Sequence, residues 1–509
     1  MNRLIRRLPH VLGALLFAFA GSAVAQETAA ALTVDERISA AVSPFLNPVV
    51  NTIFYSVPVF GVAFPLIVGW LIVAATVFTL YFGFIQFRGF AHAISIVKGD
   101  YLDPKDAGEV TPFQALTTAL SGTVGLGNIA GVGVAVYLGG PGATFWMILA
   151  GLLGMASKFT ECILGVHYRN EYPDGSVSGG PMYYLSKGLA EQNRATLGKV
   201  LAVVFSICCI GGALGGGNMF QANQSFAQFA GIFPGIADYG WVFGIVMAVL
   251  VGVVIIGGIR SIAKVTEKIV PSMAALYVGS ALIIILLNYD KIPGAFTAII
   301  DGAFAPTAVA GGVVGALIQG FKRAAFSNEA GIGSAAIAHS AVQTKHPATE
   351  GYVALLEPFI DTVVICTMTS LVITITGVWV PDNGVSGIAL TSAAFSSNFA
   401  GFKYVLAVAA ILFAFSTMLS WSYYGMKAWT YLFGEGKVKE LVFKLIFLVF
   451  IVIGASLGLG PVIDFSDAMI FAMSLGNVVG LYFLMGKVKE LVKDYNAKRK
   501  SGEISKIVA

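Results

Sequence analysis

The chain reads Ser121-Gly122-Thr123-Val124-Gly125-Leu126-Gly127-Asn128-Ile129-Ala130-Gly131, and again Gln319-Gly320-Phe321-Lys322-Arg323-Ala324-Ala325-Phe326-Ser327-Asn328-Glu329-Ala330-Gly331-Ile332-Gly333. Both stretches sit inside long apolar segments, near 112–138 and near 309–338, and both crowd them with glycine and polar side chains. Glycine permits backbone angles and close approaches that interrupt a helix. An interrupted helix exposes N–H and C=O groups, which hydrocarbon tolerates only where they line a cavity or bind something. Interruptions at matching positions of two halves point to a binding site near the midplane of a secondary transporter.

Around these stretches the chain has the composition of a membrane protein. Of its 509 residues, 57% are hydrophobic and 11% charged, and the mean hydropathy is +0.82; a soluble domain carries about 25% charged residues. The formal net charge of +4 includes no clustered basic face, so no nucleic-acid partner is expected. Residues 1–25 read as a secretory signal: Arg3, Arg6 and Arg7, an apolar stretch, then Ala23-Val24-Ala25. An uncleaved first helix is the other reading.

Segments of about 20 apolar residues, long enough to cross the bilayer, fall near 64–87, 112–138, 143–167, 197–220, 241–258, 267–289, 309–338, 351–377, 404–433, 441–459 and 463–486. The expected fold is an all-α polytopic membrane protein of about eleven spans. Basic residues gather in alternate connections (Arg88, Lys98, Lys105, Arg169, Lys187, Arg194, Arg260, Lys264, Lys268, Lys345, Lys437, Lys439) and in the tail. Only Lys291 and Lys403 fall in the connections expected outside. This asymmetry puts the carboxyl terminus in the cytoplasm. Setting aside the first span leaves ten, with the interrupted ones first and sixth. The expected organisation is therefore an N-terminal periplasmic segment, first helix and cytoplasmic loop (26–111), two inverted five-helix repeats (112–289 and 309–486) and a basic cytoplasmic tail (487–509).

Carbonyls freed before the first break, at Leu120, Ser121 and Val124, suit a cation. N–H groups of the following half-helix suit a carboxylate, aided by the helix dipole, and Asn128 adds a neutral donor and acceptor. Close helix packing through Gly127 and Gly131 is the competing account. In the second stretch, three charges within a membrane-length segment are costly unless paired. Lys322 or Arg323 is expected to pair with Glu329 as a gate or helix brace, with Gln319, Ser327 and Asn328 as uncharged groups nearby; a cytoplasmic helix end with snorkelling cations is the alternative. Thr417 and Trp421 share a helix face one turn apart, as Asn218 and Gln221 do near Gly215-Gly216-Gly217. Lys158 and Glu161, and Glu357 and Asp361, concentrate ionisable groups on two other faces. His92, His167, His339 and His346 fall near span ends or in loops, so no transition-metal cluster is expected. Cys162, Cys208, Cys209 and Cys366 lie in apolar runs and read as packing residues.

The runs Gly122 to Gly131, Ser178-Gly179-Gly180-Pro181-Met182-Tyr183-Tyr184 and Phe326-Ser327-Asn328-Glu329-Ala330-Gly331, with Ala414-Phe415-Ser416-Thr417 and Trp421, resemble the alanine or glycine:cation symporter family. The likeness covers nearly the whole chain after the signal-like segment. It implies a LeuT-type inverted five-helix repeat, one extra N-terminal helix, and sodium-coupled uptake of alanine, glycine or a similar small amino acid across a bacterial inner membrane, with no cofactor and no chemistry on the substrate. Carried over, the substrate would meet Thr123, Val124, Gly125, Gly127 and Asn128, with Gln221, Trp421 and Phe226 walling the pocket. Ser416 and Thr417 would face the sodium or the substrate.

Two rivals remain. A proton-coupled transporter would rest on Glu357, Asp361 or Glu329. An intramembrane hydrolase would rest on Gly384-Val385-Ser386-Gly387, but that run sits in an outer connection and no membrane-buried histidine follows it to act as its base. Oligomeric state is left open.

Overall fold

The computed structural model describes residue 44 and residues 46–304, 312–380 and 384–506. The expected signal at 1–25 lies outside these residues. Every expected span carries a helix, because a backbone in hydrocarbon must satisfy its own hydrogen bonds. A hairpin of β1 (Ser56–Val59) and β2 (Val62–Pro65) precedes α1 (Leu66–Tyr81), and the short α2 (Phe90–Val97) follows. Helix α3 (Pro112–Thr123) begins at a capping box. Thr111 accepts from the Gln114 N–H, Gln114 answers by accepting from the Thr111 N–H, and Pro112 occupies the first turn, where its missing N–H costs nothing.

The first interruption follows. After Val124–Leu126 the chain makes a π-helical turn at Gly127–Gly131 and continues as α4 (Val132–Gly139), bent 48° from α3. Next come α5 (Ala143–His167), a small hairpin of β3 (Asn170–Glu171) and β4 (Val177–Ser178), α6 (Pro181–Glu191) and α7 (Ala195–Leu214). A π-helical turn at Gly215–Met219 joins α7 to α8 (Phe220–Ile232), and α9 (Gly240–Ile255), α10 (Gly258–Leu287) and α11 (Ile292–Phe304) complete the first half.

In the second half, α12 (Gly312–Asn328) ends at an irregular stretch where Glu329, Gly331 and Gly333 all have positive φ. Then come α13 (Ala335–His339), α14 (Pro347–Ala354), a π-helical stretch at Phe359–Cys366, α15 (Thr367–Thr376), the connecting helix α16 (Ile388–Asn398), α17 (Phe402–Phe433), α18 (Lys437–Ser456) and α19 (Leu459–Ser501). Among the described residues the architecture is all-α apart from the two hairpins. Among the described residues, six helices are long and apolar enough to cross a membrane, and a seventh span results if the bent pair α3–α4 is one crossing; α1 and α9 are shorter apolar helices. Interruption is not confined to the two glycine-rich stretches, since π-helical turns also break the fourth and eighth expected spans.

Small residues bring the helices together. A Cβ on Gly165 of α5 would lie 2.7 Å from the Ala336 carbonyl oxygen, and one on Gly320 of α12 would lie 2.6 Å from that of Ala143. Apolar side chains such as Val253 on α9 and Leu286 on α10 face outward, a surface suited to lipid.

At 43 residues, α19 is about 64 Å long at 1.5 Å per residue, about twice the hydrocarbon thickness. Its last turns dock on other elements: Tyr495 is buried, its hydroxyl lies 3.0 Å from His92 Nε2 on α2, and Asn496 Nδ2 donates to the Tyr352 hydroxyl on α14 at 2.9 Å. Burial, helped by the nearby Arg499 and Lys506 charges, pushes the His92 imidazole down to about 4 from its ordinary 6.5. The docked tail thus disfavours protonated His92. Docking is fully favoured above pH 6.5 and weakens as pH falls toward about 4. Amide exchange over 488–500, corrected for intrinsic rates, should therefore accelerate between pH about 7.5 and about 5, and His92→Gln should remove that dependence; equal protection at both pH values in the unsubstituted protein would contradict the coupling.

Candidate functional site

The first break is held by side chains from two other spans and from the connecting helix α16. Gly125 N–H donates to the Asn128 Oδ1 within the break at 2.9 Å, and Leu126 N–H donates to Gln221 Oε1 from α8 at 2.9 Å. The Asn128 amide Nδ2 donates to Asp361 Oδ1 at 2.6 Å and to the Asp361 carbonyl at 3.1 Å. Thr369 and Thr391 hydroxyls bond the Asn128 and Ile129 carbonyls at 2.8 and 2.9 Å. The backbone groups freed by the interruption thus find partners, as a buried break requires.

Asp361 joins the two breaks. Its carboxylate also accepts from Ser327 Oγ at 3.1 Å, at the end of α12, and from Thr362 Oγ1 at 2.6 Å. Asn328 donates to Thr362 Oγ1 at 2.9 Å and accepts from Ala330 N–H at 3.0 Å. All four side chains are buried. Asp361 was legible as an intramembrane acid, but its partners Asn128 and Ser327 come from elements distant in sequence.

Beside this hub lies a small enclosed cavity between Gly122, Thr123 and Gly127 on one side and Phe326, Ser327 and Glu329 on the other, with Gly216, Gln221, Trp421 and Ile470 completing the wall. Its free volume of about 10 Å³ is near the minimum for one water. Gly125 has no room for a side chain, since a Cβ would lie 2.4 Å from Thr417 Oγ1 and 3.1 Å from Gln221 Oε1. The Thr417 hydroxyl is buried and has no hydrogen-bond partner.

Of the residues expected around the site, Thr123, Gly127, Gln221 and Trp421 line the cavity; Gly125, Asn128 and Thr417 stand beside it, and Val124 is buried in the break itself. The Thr123 hydroxyl turns back to the Ala119 and Leu120 carbonyls, each at 3.3 Å, and the Leu120 carbonyl also accepts from Val124 N–H at 2.6 Å. Ser121 Oγ bonds the Ser416 carbonyl, and Ser416 Oγ bonds the Phe413 carbonyl at 3.0 Å. Phe226 does not wall the cavity: on α8 it packs against Phe243 of α9 with ring centroids 5.5 Å apart. Asn218 and Gln221 diverge because the π-helical turn shifts the register between them, so Asn218 donates to the Phe447 carbonyl at 2.6 Å while Gln221 reaches the break. Phe326, Gly216 and Ile470 were not singled out, since apolar residues and glycines in a span carry no individual signal.

The expected pairing of Lys322 or Arg323 with Glu329 is corrected. Lys322 Nζ lies 3.0 Å from Asp467 Oδ2 on α19, and Arg323 pairs with the same oxygen. The positive φ at Glu329 turns its side chain away from the helix that carries the two cations. Glu329 instead accepts from Trp421 Nε1 at 3.0 Å and from Ser334 Oγ. The acids of that span, Asp464 and Asp467, were the signal available in the sequence.

His339 is the last residue of α13, beside the expected span end. It is fully buried, with Nδ1 at 2.6 Å from Glu350 and Nε2 at 2.6 Å from Glu357, and Glu357 also pairs with Lys158 Nζ at 3.2 Å. A histidine facing two carboxylates through both nitrogens requires one added proton within the triad. With that proton on the ring, two carboxylates balance two cations. Cys162, His339 and Glu357 bring possible ligand atoms within 4.8 Å of one another, but both His339 nitrogens are taken and an ammonium adjoins them, so the donor set does not fit a metal ion. Glu161 looks elsewhere, accepting from Asn477 Nδ2 at 2.7 Å.

Because a buried charge stripped of its partner is costlier than a missing pair, Lys158→Met should lower stability by about 3–5 kcal/mol. The double variant Lys158→Met/Glu357→Gln should recover part of that loss in thermal unfolding in detergent; a double variant as unstable as the sum of its singles would contradict the coupling.

The sequence model of the Sodium:alanine symporter family matches residues 47–509. The sodium/alanine symporter AgcS of Methanococcus maripaludis is 39% identical over 429 residues, covering 83% of this chain and 92% of its own. The amino-acid carrier protein AlsT of Bacillus subtilis is 34% identical over 429 residues, covering 84% and 88%. Among solved structures, that of MhsT in complex with L-phenylalanine is similar with a TM-score of 0.54 and 14% identity, over 75% of this chain and 90% of that one, which establishes the shared LeuT-type fold.

Proposed function

The chain belongs to the sodium:alanine symporter family, and from that premise we propose that it imports alanine, glycine or a similar small amino acid by symport with Na⁺ through alternating access. The observation that carries this reading is the buried carboxylate of Asp361, tied at once to Asn128 in the first break and Ser327 at the second. The Asp361 carboxylate and the hydroxyl oxygens of Ser327 and Thr362 are groups suited to a hard cation. A cation there neutralises a charge that hydrocarbon disfavours and draws both broken helices to one centre. The partnerless Thr417 hydroxyl, with Ser416 and the carbonyls of Leu120, Ser121 and Val124, offers a second place for a cation or for the substrate.

The substrate takes its place beside this centre, its carboxylate toward the first break at Thr123, Val124, Gly125 and Gly127, aided by the helix dipole and in exchange for the internal bonds that the Val124 and Gly125 N–H groups make to the Leu120 carbonyl and Asn128 Oδ1. Asn128, Gln221, Thr417 and Trp421 complete the pocket, and glycine-dense walls favour a small side chain. Admission requires the walls to part, because the cavity is so small. Lys322 and Arg323 with Asp467 form the outer gate in this reading: Arg323 precedes Phe326, and Asp467 precedes Ile470, by about one turn in the same direction. Asn328 and Glu329 brace the inner side. Sodium bound first raises substrate affinity, and the substrate raises that of sodium by the same factor.

The spans number about eleven, one extra N-terminal helix followed by inverted repeats at 112–289 and 309–486, in a bacterial inner membrane with the tail at 487–509 in the cytoplasm. The distribution of lysine and arginine supports this orientation.

Labelled alanine uptake into proteoliposomes should be concentrative with an inward Na⁺ gradient and absent with an inward H⁺ gradient at equal Na⁺. Uptake driven by the H⁺ gradient alone would transfer coupling to Glu329, Glu357 or Asp361. No alanine or glycine uptake under either gradient would overturn the substrate. Asp361→Asn should raise the Na⁺ concentration for half-maximal uptake at least tenfold; an unchanged Na⁺ dependence would remove Asp361 from the cation site.

A further inference from the structure

Trp421 is held from two sides. Its ring lies against Gly217, where a Cβ would come within 2.1 Å of Cγ, and against Gly212, where one would lie 3.3 Å from Cζ3. Its indole N–H donates to Glu329 Oε1 at 3.0 Å. Glu329 is itself fixed, because its backbone takes a positive φ and its other carboxylate oxygen accepts from Ser334 Oγ. Both side chains are buried and both line the cavity. The Lys158 ammonium has its hydrogen-bonded partner in Glu357 at 3.2 Å, and the direct bonds to the Glu329 carboxylate come from the indole and the serine.

We infer that Glu329 is a positioning residue for substrate selectivity: through the indole hydrogen bond it fixes the plane of Trp421, and that plane sets how large a side chain the cavity admits. The inference rests on the proposed transport of a small amino acid. In hydrocarbon an unpaired indole N–H is costly, so one rotamer of Trp421 prevails while an acceptor stands at 329. Without the acceptor the indole turns to seek another partner and the wall it forms retreats. The same bond links α17 to the second break and orders the break as the cavity closes. What Glu329 contributes on this account is an acceptor oxygen, and its negative charge is incidental.

Glutamine keeps an acceptor oxygen at this position, alanine removes it, and Trp421→Phe removes the donor while keeping a ring. The measurement is competition of labelled alanine uptake in proteoliposomes by unlabelled alanine, 2-aminobutyrate, valine and leucine. Glu329→Ala and Trp421→Phe should each relax the preference for alanine over valine by about tenfold. Glu329→Gln should restore it to within about twofold, and Glu329→Ala/Trp421→Phe should relax it no further than either single change, the non-additivity expected of one shared interaction. Glu329→Gln matching Glu329→Ala would overturn the inference in favour of a charge that binds the substrate ammonium. Additive single changes, or an unaltered preference in Glu329→Ala, would overturn it as well. If Glu329→Ala yields no folded protein, the contrast between Glu329→Gln and Trp421→Phe decides alone, a relaxed Glu329→Gln being fatal. Absence of alanine uptake by the unsubstituted protein would instead overturn the transport reading.

Discussion

A helix broken inside hydrocarbon must have its freed N–H and C=O groups answered by other parts of the chain, and most of the structure around the cavity is organised by that demand. Gln221 reaches from α8 to Leu126, Thr369 and Thr391 reach the Asn128 and Ile129 carbonyls, and Asp361 takes the Asn128 amide. They come from α8, from the span that runs through 359–376 and from α16, so the break fixes where those elements lie. Of these groups, Gln221 also lines the cavity, so that one side chain both satisfies the break and contributes to the polar wall.

Charge inside the fold obeys a related rule. Lys322 and Arg323 meet Asp467, while Lys158, Glu357, His339 and Glu350 form a closed set in which two cations balance two anions once the imidazole carries its second proton. Such clusters are not strong sources of stability, because desolvation offsets most of the attraction. Their value lies in specificity: a mispaired arrangement would leave a naked charge in a medium that cannot solvate it. The first cluster joins α12 to α19, and the second joins α5, α13 and α14 into one braced unit under the second break.

Membership of the sodium:alanine symporter family accounts for the general plan, and the particulars explain how a small cavity is formed. Glycines at 122, 125, 127 and 216 bring backbone to the cavity edge, and Trp421 and Phe326 supply the bulk that limits it. The shared fold with MhsT at 14% identity shows how few side chains the architecture itself requires. What the architecture demands is breaks, small residues at crossings, and a partner for each buried polar group.

The span pattern, the two glycine-rich interruptions and the candidacy of Asn128, Gln221, Thr417 and Trp421 were legible in the sequence, because hydropathy, glycine and helical spacing are local properties. The partner of Glu329, the pairing of Arg323 with Asp467, the burial of His339 and the outward place of Phe226 were not. Each depends on which faces of distant helices meet, and a π-helical turn such as Gly215–Met219 or a positive φ such as that of Glu329 redirects a side chain without altering the apolar pattern around it. The sequence by itself determined that this chain lies in a membrane as broken helices with polar groups to satisfy; only the tertiary structure decided which group satisfies which, since hydrogen bonds and ion pairs act over a few ångströms between residues hundreds of positions apart.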